Sequence, residues 1–84
     1  MIEDELRAIV AEVAEIDPDS IDPGGLLADA GVDSLMAMEI AVDVERRYGL
    51  SFTVEELKRI TTFGSLVALT RARLAGEEAA SSGR

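Results

Sequence analysis

The chain has 84 residues, 48% hydrophobic and 30% charged, with a net charge of −9. That describes one folded domain with a thin core, too small to enclose a deep active site. Cysteine and histidine are both absent, which excludes disulfides, thiolate chemistry, the commonest general base and the commonest metal ligand.

A first helix is expected from about Glu3 to Glu15, because Leu6, Ile9, Val10 and Val13 fall at i, i+3, i+4, i+7. Asp17-Pro18 ends it, since a residue before proline is pushed out of the helical region. Residues 16–33 form a long connection containing both prolines of the chain. Ile16, Ile21, Leu26 and Leu27 are expected to pin it to the core. Within it, Asp17, Asp19 and Asp22 do not complete a calcium loop: Asp22 stands where glycine is needed and Ala28 where glutamate is needed. Gly24-Gly25 lacks the Lys-Ser/Thr of a phosphate-binding loop.

The second helix is expected from Asp33 or Ser34 to about Tyr48, closed by Gly49. At about 100° per residue it has two apolar faces. Ala37, Ile40, Ala41, Val44 and Tyr48 form the core face, while Leu35, Met38 and Val42 lie roughly opposite, bordered by Glu39 and Glu45. A small bundle covers one such face readily and the other poorly. The second stripe is therefore a docking surface, or else the long loop folds over it or Met38 is plain core. Thr53-Val54-Glu55-Glu56 is a capping box that starts a short third helix ending near Arg59. Thr61 or Thr62 caps a last helix carrying Leu66, Val67, Leu69 and Leu74. The fold class is all-α: a small four-helix bundle with a long first loop and a short third helix. Residues 1–75 form the domain, and the polar tail 76–84 is expected to be disordered.

Charge is unevenly placed. Residues 1–45 hold 13 acids and one base, Arg7, whereas residues 46–84 hold 4 acids and 7 bases. The acidic half suits partners with basic surfaces, although acidity also serves solubility alone. The net charge disfavours nucleic acid. No apolar run reaches the roughly 20 residues of a membrane span. The acidic start MIEDELRAIV lacks the basic region of a signal peptide, so a soluble, cytoplasmic monomer is expected.

Gly31-Val32-Asp33-Ser34-Leu35 is the candidate site. A serine in the first turn of a helix exposes its hydroxyl. A phosphate ester there would meet the unpaired N–H groups and positive dipole end of the helix. Local chemistry alone favours the plain reading of Asp33-Ser34 as an N-cap. Nothing nearby activates Ser34, since histidine is absent and the only lysine, Lys58, lies in another element. A Ser34 hydrolase is thereby disfavoured, and any modification must come from another enzyme.

With Gly31-Val32-Asp33-Ser34-Leu35 before the second helix and Ile60-Thr61-Thr62-Phe63-Gly64-Ser65-Leu66 before the last, the chain resembles the acyl carrier protein family over residues 3–75. The resemblance implies 4′-phosphopantetheine on Ser34, attached by a phosphopantetheinyl transferase from coenzyme A with magnesium, and Asp33 flanking that site. It implies docking of a ketosynthase, an acyltransferase and other pathway enzymes through Leu35, Met36, Met38, Glu39, Val42 and Glu45. It also implies an acyl cleft between the second and third helices, lined by Ile40, Val44, Phe52, Ile60 and Leu66. Arg46-Arg47 and Met36 depart from the fatty-acid type, so a non-enzymatic carrier of polyketide type is expected. The alternatives are a carrier for fatty acid synthesis or an amino-acyl starter, and an interaction module that carries nothing. Seven arginines against one lysine, with twelve alanines, suit a GC-rich bacterial gene. The initial Met and polar tail suit a free-standing protein.

Overall fold

The computed structural model describes residues 1–76. Four helices form the expected all-α bundle: α1 (Ile2–Ala14), α2 (Ser34–Tyr48), α3 (Val54–Arg59) and α4 (Phe63–Leu74). The long first loop contains 3₁₀ turns at Pro18–Ser20 and Leu27–Ala30. Leu6, Val10, Ile40, Val44, Phe63 and Leu66 are the largest apolar side chains fully buried in the core. The α1 helix packs across both α2 and α4, whereas α3 touches the other helices only sparsely. Residues 77–84 of the expected tail lie outside the described residues.

The ends of α2 and α3 fall where the sequence places them, and Thr53 and Glu56 form the expected capping box. The α1 helix closes before Glu15, which takes a left-handed conformation at φ 57°. Ile16 N–H then reaches back to the Ala11 carbonyl at 3.0 Å. A left-handed closure, rather than the proline restriction at Asp17, therefore stops this helix.

The first loop is fixed at both apolar and polar points. Ile21 and Leu27 are buried and Ile16 packs partly against the core. Leu26, expected to join them, is 51% exposed. Its backbone pairs with Thr62, and Leu27 N–H donates to the Thr61 carbonyl at 2.9 Å. Successive side chains alternate along an extended pair, so burying Leu27 turns Leu26 outward. Arg7 Nη1 donates to the carbonyls of Pro18 (3.2 Å) and Ile21 (2.8 Å). Its guanidinium also lies 4.9 Å from the Phe63 ring centroid, a cation–π distance. Asp17 and Asp22 serve as turn acceptors, taking the N–H groups of Asp19 (2.8 Å) and Gly24 (3.1 Å). Finally, Gly64 N–H donates to the Pro23 carbonyl at 2.9 Å, and a Cβ on Gly64 would stand 3.0 Å from that oxygen. Phe63-Gly64 thus combines a buried ring with a close backbone approach.

Candidate functional site

Ser34 is placed by the four residues before it. Gly31 turns the chain at φ 95°, a conformation that costs any other residue steric strain. Val32 is buried, and its N–H donates to the Leu27 carbonyl at 3.1 Å. The Asp33 carboxylate then accepts from Met36 N–H at 2.8 Å and is the N-cap of α2. Ser34 is therefore the first residue inside the helix and not its cap. Its side chain is exposed, and among the described residues its hydroxyl makes no hydrogen bond. The N–H groups of Ser34 and Leu35 likewise have no partner there. A phosphodiester on Ser34 Oγ fits these residues: the oxygen is free, and donors and a helix dipole favour the negative charge.

Beyond Ser34, α2 has the two expected faces. Ile40, Ala41 and Val44 are buried, while Leu35, Met38 and Val42 are 69%, 55% and 38% exposed. The first loop does not cover this stripe. Glu39 is exposed beside it. The other two residues of the expected docking set are placed differently. Met36 packs partly into the core. Glu45 turns toward the α2–α3 connection, where its Oε2 accepts Phe52 N–H at 2.7 Å. One oxygen of its half-buried carboxylate thus holds the chain entry to α3.

A cleft of about 380 Å³ lies between α2 and α3, with Ser34 in its wall. Of the five residues expected to line it, Ile40, Ile60 and Leu66 do so. Val44 and Phe52 do not; both are buried in the core. Ala37, Met38, Ala41, Val54, Leu57 and Lys58 complete the lining. On α3, Val54, Leu57 and Lys58 stand at i, i+3, i+4, the one-face spacing that would have flagged them in the sequence. The small side chains of Ala37 and Ala41 leave the space on α2. Met38 also lines a second groove shared by Val13, Glu39, Val42, Asp43 and Arg46.

Electrostatically, the opposite end of α2 is clamped. The Tyr48 hydroxyl donates to Glu5 Oε1, and Arg47 lies 3.7 Å from the same carboxylate. Burial, reinforced by the bond to Glu5, pushes the Tyr48 phenol up to about 12. The hydrogen bond from Tyr48, helped by Arg47, lowers the Glu5 carboxyl. On α3, Glu56 is buried and bonds Arg73 of α4 as well as serving the capping box. Among the described residues, no helix is long and apolar enough to cross a membrane, and no group of three carboxylates could hold a metal ion.

Residues 4–70 match the family model described as the phosphopantetheine attachment site. Over 64 residues, 76% of this chain, the sequence is 42% identical to the non-reducing polyketide synthase azaA of Aspergillus niger. Over 69 residues it is 41% identical to the non-reducing polyketide synthase pkiA of Emericella nidulans. The chain spans only 2% and 3% of the length of those two proteins. It is also 36% identical to polyketide-8 synthase acyl carrier protein 2 of Streptomyces avermitilis, over 84% of this chain and 83% of that one. The free serine at the start of α2, the family model and the similarity to a carrier protein over most of both chains agree: the chain belongs to the acyl carrier protein family, whose members hold 4′-phosphopantetheine covalently and carry acyl groups without themselves being enzymes.

Proposed function

We propose that Ser34 is the attachment residue and that the chain carries acyl intermediates of polyketide synthesis. The observation that carries this reading is the division of labour at the start of α2. Asp33 caps the helix, so Ser34 Oγ is left exposed and uncommitted beside the α2–α3 cleft. The bound group supplies a flexible arm ending in a thiol, which holds the acyl chain as a thioester. The residues of the chain do the rest. The first-turn N–H groups of α2 meet the phosphodiester, and Asp33 holds the helix start rigid for a phosphopantetheinyl transferase. The exposed Leu35, Met38 and Val42, with Glu39 at their edge, dock a ketosynthase, an acyltransferase and other enzymes with basic surfaces. The apolar lining of the cleft shelters part of the cargo from water. The setting is cytoplasmic, where coenzyme A supplies the arm.

Co-expression with a broad-specificity phosphopantetheinyl transferase, followed by intact mass, tests the assignment. One added phosphopantetheine on the wild type and none on Ser34→Ala is the expected result. An addition that survives Ser34→Ala would overturn it.

A further inference from the structure

Eight cations are present in the sequence, and Lys58 is the only lysine. Arg7, Arg47, Arg71 and Arg73 each have a carboxylate within 4.0 Å. Lys58, like Arg46 and Arg59, has no such partner among the described residues, but of these three it alone lines the α2–α3 cleft, with Glu55 one turn before it on α3. It stands in the last turn of α3, exposed, in the wall of the cleft. Eight of the ten lining residues are apolar; Lys58 and Ser34 are the other two. The cleft lining therefore carries both a hydroxyl for attachment and an ammonium with no ion-pair partner among the described residues. A plain alkyl chain gives that ammonium nothing to bind.

Resting on Ser34 as the attachment residue, we propose that Lys58 is a positioning residue for the tethered arm, its ammonium pairing with an anionic oxygen on that arm. Two parts of a loaded arm offer that chemistry: the phosphodiester next to Ser34, and a carboxylate on a dicarboxylic acyl unit. Tethering makes the encounter intramolecular, so the effective concentration of the anion is high even though the ammonium is exposed. Apolar walls on one side of the pair reduce the screening that weakens ordinary surface ion pairs.

A single lysine yields a single side-chain ammonium signal, which makes NMR the direct readout. The apo, holo, acetyl-loaded and malonyl-loaded forms of the full chain are compared. A displacement on going from apo to holo identifies the phosphodiester. A displacement that appears only with the malonyl form, and not the acetyl form, identifies the cargo carboxylate. Either displacement should collapse at about 1 M salt, where the screening length falls to about 3 Å. An ammonium signal identical in all four forms would overturn the proposal. So would a displacement that persists at high salt, because that marks repacking and not pairing. Intact mass on the same samples separates the two readings. A loaded protein with an unmoved ammonium sinks the role of Lys58 alone, whereas a wild type that takes no phosphopantetheine sinks both.

Discussion

The loop that leads into α2 and the short helix that follows it are built to opposite ends. The first loop is long and irregular, yet it is tied down at every turn. Arg7 holds two of its carbonyls, Pro23 accepts from Gly64, Leu27 pairs with Thr61, and Ile21, Leu27 and Val32 are buried. The α3 helix is regular and well capped, but Glu56 is its one buried residue and it meets the other helices sparsely. Regular secondary structure and rigidity are therefore separate properties here. The irregular segment fixes the position of Ser34, and the helical one leaves an apolar cleft beside it. Local stability follows the contacts each segment makes, and the weakly packed elements are the ones able to move for function.

Three measurements sharpen or break that contrast. The largest effect is expected on the tied side. Arg7→Met removes two hydrogen bonds to loop carbonyls and the contact with Phe63, and should cost about 2–3 kcal/mol by denaturant unfolding. Faster amide exchange across residues 16–33 should accompany it. A loss below about 0.5 kcal/mol would show that apolar burial alone holds the loop. On the looser side, Leu57→Ala should cost only about 1 kcal/mol, because the side chain is half-buried and its neighbourhood already borders open space. A loss as large as that of Arg7→Met would erase the distinction between the two regions.

The smallest effect concerns the clamp at the far end of α2. Tyr48 is the only tyrosine and tryptophan is absent, so phenolate absorbance reports it alone. Its midpoint should lie near 12, against about 10 for a free tyrosine. The phenol is raised in the folded state, so its contribution to stability is complete below about pH 10 and is lost as pH rises toward 12. The lowered Glu5 carboxyl acts in the opposite sense: its contribution holds at neutral pH and fades as acid protonates it. Glu5→Gln should move the tyrosine midpoint only part of the way back, because burial is the larger cause. An ordinary tyrosine midpoint in the wild type would mean the clamp is open in solution.

Periodicity and capping chemistry made most of the fold legible. The stripes of α1 and α2, the Thr53–Glu56 box and Gly49 act over four residues or fewer, so they are written in consecutive sequence. The second apolar stripe, Leu35, Met38 and Val42, was legible for the same reason, whereas packing decided that the first loop leaves it exposed. Apart from the local closure of α1 at Glu15, the assignments that shifted depend on contacts reaching beyond one helical turn. Leu26 faces outward because Leu27 bonds Thr61. Glu45 turns toward the α2–α3 connection because Phe52 N–H donates to it. Val44 and Phe52 drop out of the cleft because their side chains complete the core.

The sequence by itself determined a four-helix chain, a serine at the head of its second helix and the absence of any side chain to activate it. Two questions stayed open until the helices were packed. One was whether Ser34 is a cap or a free hydroxyl, decided when the Asp33 carboxylate took Met36 N–H. The other was which residues share a cavity with Ser34, decided by how α3 stands against α2, which brings Val54, Leu57 and Lys58 to it. Helical periodicity assigns residues to faces, but only packing chooses which faces meet and where a gap remains.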